Sequence, residues 1–123
     1  PLQYLHVSLL DFYINAYRGG DTEKPAIKQI HDRINGKLPL IGVGNLYTAD
    51  QINKALNTGW SEFIALGKTA IINPNIGSLI LENRENEIET ELDLDRKDKY
   101  DLGEFLWNLT KEGHQLLPPL KKK

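Results

Sequence analysis

The sequence contains no cysteine and no methionine. Without cysteine there can be no disulfide, no thiol nucleophile and no thiolate metal site. With no methionine and Pro1 as its first residue, the chain is expected to be a fragment of a longer polypeptide rather than an untouched initiation product. Charge of one sign is also lacking. The 15 basic and 17 acidic residues leave a formal net charge of −2, which gives no electrostatic reason to expect nucleic acid or an anionic membrane as partner. The one concentrated basic run, Lys121-Lys122-Lys123, reads as a solvated tail rather than a binding patch. No apolar stretch approaches the roughly 18 residues of a membrane span, and nothing at the start resembles a signal peptide. A cytoplasmic location is therefore expected. His6, His31 and His114 have no partner at metal-ligand spacing, so no metal site is expected.

What is present is an ordinary globular composition, with 40% hydrophobic and 26% charged residues in a length suited to one domain. Three apolar runs read as strands, near residues 4–9, 38–43 and 62–66. After the first, Ile27, Ile30, His31 and Ile34 fall on one helical face, and Asn35-Gly36 supplies a left-handed stop. The second, Leu38-Pro39-Leu40-Ile41-Gly42-Val43, is almost wholly apolar, as a parallel strand covered on both faces would be. Thr48-Ala49-Asp50-Gln51 matches a capping box, opening a helix with Ile52, Ala55 and Leu56 on its apolar face and Gly59 at its end. Beyond the third strand, a short helix through Ile71 and Ile72 stops before Pro74, and another runs from about Asn75 to Leu81. Glu82 to Lys99 is dominated by charge and is expected to wrap the surface. Asp101-Leu102-Gly103-Glu104 resembles a second capping box, before a terminal helix whose apolar face is read as Phe105, Leu106 and Leu109.

The order β-α-β-α-β-α with short connections implies parallel strands and right-handed crossovers, an α/β architecture. Three strands are too few for a doubly wound domain or a closed barrel. Association with a second copy, or with a missing first half, is expected. Leu40, Val43, Ile64 and Leu66 are among the candidates for the surface that such a partner covers, with alternation leaving open which of them point inward.

Two consecutive strand ends carry glycine where the chain turns outward, Val43-Gly44-Asn45 and Leu66-Gly67-Lys68. Glycine lets the backbone approach a ligand closely. N–H groups at a loop and the following helix start then point at an anion, and Lys68 adds a positive point charge. The pair points to phosphate without saying which phosphorylated molecule; either loop alone reads as a steric turn. Ser8 and Asp11 lie near the end of the first strand, but no elbow motif makes Ser8 a nucleophile. Trp60 and Trp107 read as packing residues.

Leu38 to Asn45, Thr48 to Leu56, Phe63 to Lys68 and Ile72-Asn73-Pro74-Asn75 together resemble the end of FMN-dependent NAD(P)H oxidoreductases of the old yellow enzyme family. Tyr4-Leu5-His6-Val7-Ser8 is similar to the preceding strand of that family. The resemblance implies that residues 1–82 are strands six to eight, the last three β/α units, of a (β/α)₈ TIM barrel. Residues 83–123 would then be a charged wrap and C-terminal helix. It implies FMN as cofactor, NADH or NADPH as reductant and a small-molecule electron acceptor as partner. Gly44, Asn45, Gly67 and Lys68 would bind the FMN phosphate. Lys68 stands where the family usually has arginine. The resemblance places no catalytic residue in this chain, because the acceptor anchor and proton donor lie in the first half of such barrels. A non-catalytic half-barrel module that binds a phosphorylated ligand, or serves as a scaffold, is the alternative.

Overall fold

The computed structural model describes residues 1–114 and 117–123. Its elements run β1 (Leu5–Ser8), α1 (Ala26–Ile34), β2 (Leu40–Val43), α2 (Ala49–Asn57), β3 (Phe63–Ile64), α3 (Lys68–Ile72), α4 (Ile76–Leu81) and α5 (Glu104–Lys111). Two 3₁₀ turns, Glu85–Glu87 and Lys97–Lys99, precede α5. The three strands form one parallel sheet in the order β1-β2-β3, as the sequence implied, although each is shorter than its apolar run. The chain divides into two compact units, Pro1–Leu46 with Asp50–Leu66, and Tyr47–Ala49 with Gly67–Lys123.

In the first unit, register decides which side chains share a face. Leu5 pairs with Leu40, Val7 with Gly42, and Gly42 with Ile64. This row packs into one core with Phe12, Ile27 of α1, and Ile52 and Ala55 of α2. Both crossover helices therefore lie on the same face of the sheet. The other row carries His6 beside Ile41 beside Phe63, and Ser8 beside Val43. Phe63 on that face is 58% exposed. This corrects the expected open surface: Leu40 is completely buried and Ile64 and Leu66 pack with the helices, which leaves Val43 alone of the four on the uncovered face. Alternation along a strand, not hydrophobicity, made the selection.

Gly42 shows how closely α1 sits on the sheet. A Cβ there would lie 2.5 Å from Ile27 Cδ1 and 2.8 Å from Phe12 Cε2. Full burial of Ile27 contributes about 1.5–3 kcal/mol, and that burial depends on the missing side chain at 42. α1 ends where Asn35 takes φ 49°, ψ 50° and Gly36 takes φ 71°, the left-handed stop expected of Asn-Gly. Phe12 stacks on Trp60 with ring centroids 6.3 Å apart, and Tyr13 meets Trp60 edge-on at 6.1 Å.

The second unit has its own core of Ile72, Leu92, Tyr100 and Trp107, with Leu94, Leu102 and Leu120 packed against it. Asn73 ties α3 to the segment before it returns: its Nδ2 donates to Thr69 O (3.0 Å) and Glu89 O (2.8 Å), and its Oδ1 accepts from the Glu89 N–H (2.8 Å). The C-terminal segment adds a parallel bridge at Leu92 and Leu120, with the Lys121 N–H donating to Leu92 O at 2.9 Å. Leu92 is completely buried inside the stretch whose composition reads as a charged wrap. Two expectations for α5 are corrected. Its N-cap is Gly103 with no side-chain capping bond, so Asp101 closes no box. Its buried face is Trp107 with Thr110, while Phe105 is 75% exposed and Leu106 is exposed. The indole ring, stacked on Tyr100 at 6.3 Å, fills the core and rotates Phe105 outward.

Candidate functional site

The turn after β2 is set by contact between backbones. The Phe12 N–H donates to the Gly44 carbonyl at 3.0 Å. A Cβ on Gly44 would stand 2.4 Å from Phe12 N and 2.6 Å from Asp11 C. The chain's own β1 loop thus fills the space that glycine opens at this position. Asn45 follows with φ 51°, a left-handed conformation that asparagine tolerates better than most residues, and its side chain is exposed. Asp11 turns its carboxylate back on its own loop, where Oδ1 accepts from the Tyr13 N–H at 2.8 Å. Ser8 and His6 lie on the uncovered face of the sheet and are both exposed.

Gly67 and Lys68 belong to the second unit, where they open α3. Gly67 is the N-cap, and its carbonyl accepts from the N–H groups of Ala70 (3.1 Å) and Ile71 (3.2 Å). Unlike Gly44, a Cβ here would meet nothing within 4 Å. The steric argument for ligand approach therefore applies to Gly67. The first N–H groups of a helix have no acceptor within it and favour negative charge nearby. Lys68, the first helical residue, is partly buried and Thr69 is buried. Within their units, then, Gly44 is brought against Asp11 and Phe12, and Gly67 against the first turn of α3.

Elsewhere the sequence's candidates take structural parts. His31 Nε2 lies 3.7 Å from Glu62 Oε1, while Glu62 Oε2 accepts from the Leu40 N–H at 2.6 Å. Lys121 and Lys123 lie near Asp93 and Asp95, at 3.5 and 3.9 Å. The loop before α1 is held by Gln29, whose Nε2 donates to Asp21 O and Lys24 O and whose Oε1 accepts from the Asp21 N–H. In that loop the Lys24 ammonium holds the Asp21 carboxyl below the usual aspartate range. Sequence reading missed Gln29, because a polar residue on a helix carries no sign of the loop it will clamp. Burial raises the Tyr47 phenol above its ordinary value. No helix among the described residues is long and apolar enough to cross a membrane.

No family model matches the chain. The chain is similar to the probable NADH-dependent flavin oxidoreductase YqiG of Bacillus subtilis (strain 168), with 36% identity over 106 residues. Those residues are 86% of this chain and 28% of the relative, so the chain spans less than a third of that protein's length. The resemblance to flavin oxidoreductases drawn from the strand-end motifs is borne out by this relative.

Proposed function

We propose that this chain supplies the last three β/α units of a flavin-binding (β/α)₈ barrel of the old yellow enzyme type, and that the protein built on it is an FMN-dependent NAD(P)H oxidoreductase. The observation that carries this reading is the one-sided sheet. A doubly wound sheet sends its crossover helices to both faces, whereas a barrel keeps them all outside and turns the bare face inward. Here α1 and α2 share one core, and the row His6, Ile41, Phe63 lies opposite it. Kinship with an NADH-dependent flavin oxidoreductase supports the cofactor class. Residues 1–82 form the barrel part and 83–123 an appended segment.

FMN held here would supply hydride transfer from NADH or NADPH to an electron-poor acceptor. The part of this chain is anchorage. Gly44, Asn45 and Gly67 offer backbone N–H groups to the phosphate, and the Lys68 ammonium contributes charge without the two-pronged geometry of arginine. Gly67 fits this role best, because its Cα side is open. The hydride chemistry falls to residues outside this chain. When the polypeptide carrying this chain is purified and loaded with FMN, NADH or NADPH should bleach its flavin absorbance anaerobically. A polypeptide that takes up no FMN would contradict the reading.

The bare face also calls for a partner: the rest of the barrel, or a second copy of the chain. Fully burying a residue such as Phe63 or Val43 is worth about 1.5–3 kcal/mol, which counts toward an association cost of ~4–15 kcal/mol. Sedimentation of the isolated chain should show assembly. A monodisperse 14.0 kDa species with a cooperative melting transition would show that it closes on itself.

A further inference from the structure

We propose that Asn35 is a site of spontaneous deamidation, gated by the helix cap it forms. Asn35 is the one asparagine in the sequence followed by glycine, and both residues are exposed. The absence of a side chain on Gly36 leaves its backbone nitrogen open to attack the Asn35 side-chain carbonyl. In that step a bond forms between Gly36 N and Asn35 Cγ and the Cγ–Nδ2 bond breaks. Ammonia leaves with the proton of the Gly36 amide, and a cyclic imide remains. Water then opens the imide at either carbonyl, giving aspartate or isoaspartate. No oxidant or enzyme is required.

The folded geometry opposes this reaction. At ψ 50°, the Gly36 nitrogen lies nearly anti to the Asn35 Cβ about the Cα–C bond, so ring closure needs a large rotation there. That rotation is resisted by the cap itself, since the Asn35 N–H donates to His31 O at 3.0 Å and the Lys37 N–H to Ile34 O at 3.1 Å. The αL conformation that makes Asn-Gly a good helix stop is therefore also what protects it. Opening of the α1 terminus releases the protection. Isoaspartate lengthens the main chain by a methylene, which the cap between α1 and β2 cannot absorb. The change is irreversible and records each lapse of the cap.

The test is incubation of the full chain at mildly alkaline pH, folded and in urea, followed by proteolysis and mass spectrometry, with enzymatic detection of isoaspartate. Conversion is expected at Asn35 ahead of every other asparagine, including the exposed Asn45. It should be slower in the folded chain by at least about tenfold, equivalent to a cap-opening free energy of ~1.4 kcal/mol. An Asn35→Asp variant should retain the fold, because aspartate also tolerates the left-handed position. Equal rates folded and unfolded, no conversion in urea, or earlier conversion at another asparagine would overturn the proposal.

Discussion

The backbone N–H of Phe12 donates to the carbonyl of Gly44 at 3.0 Å, and the same Phe12 nitrogen lies 2.4 Å from where a Cβ on Gly44 would stand. This contact fixes the turn after β2 against the loop after β1. A methyl group at 44 has to displace main chain, whereas at 42 it meets side-chain atoms of Ile27 and Phe12. Gly42→Ala is expected to cost about 1–3 kcal/mol, the range for overpacking a core. Gly44→Ala should cost more. Urea denaturation of both variants checks the order, and a milder effect at 44 would contradict the contact.

The second unit rests on Trp107, which is 3% exposed and stacked on Tyr100. Trp107→Ala should destabilise this unit by about 3–5 kcal/mol, as truncation of a buried large aromatic does. Phe105→Ala should fall within about 0.5 kcal/mol of the parent, because its ring is out in solvent. Thermal melts of the two variants decide between this helix face and the one suggested by the hydrophobic spacing.

The Asn73 side chain makes three hydrogen bonds in a residue that is 3% exposed, two of them to the backbone of Glu89. Asn73→Ala removes the side-chain partners of the part-buried Glu89 main chain, at about 1–3 kcal/mol. Hydrogen exchange should then show faster opening at Glu89 and Leu92. Unchanged protection there would show that the clamp adds nothing.

The Asp93 carboxyl is held below the usual aspartate range, first by the backbone N–H of Asp95 and then by Lys121. A depressed folded value means the stabilisation is present above the ordinary aspartate range and is lost as pH falls through the lowered one. Acid titration followed by Trp107 fluorescence in a Trp60→Phe background should show this loss. Asp93→Asn should flatten it. An identical acid limb in the variant would exclude Asp93 as a contributor.

Much of this fold was legible because period and punctuation agree. Apolar runs separated by helical spacing gave parallel strands in sequential order, and Asn35-Gly36 marked the end of α1 from two residues. The strand faces were not legible, since Leu38 to Val43 is apolar at nearly every position and register alone separates Leu40 from Ile41. The second core escaped because Leu92 sits among acidic residues and Leu120 directly before a lysine run, and the bridge that brings them together is encoded by no local pattern. At the candidate site both glycines read alike in the sequence. Only the structure distinguishes Gly44, packed by its own chain, from Gly67, which is open.

The phosphate claim is tested most directly by comparing FMN with riboflavin, which lacks the phosphate, on the polypeptide carrying this chain, with and without Lys68→Ala. If Gly67 and Lys68 hold the phosphate, FMN binds more tightly than riboflavin. Lys68→Ala then weakens FMN by about 1.5–3 kcal/mol, the value of a charge-assisted hydrogen bond, and leaves riboflavin unchanged. Equal affinities for the two flavins, or an FMN affinity indifferent to Lys68, would contradict the assignment.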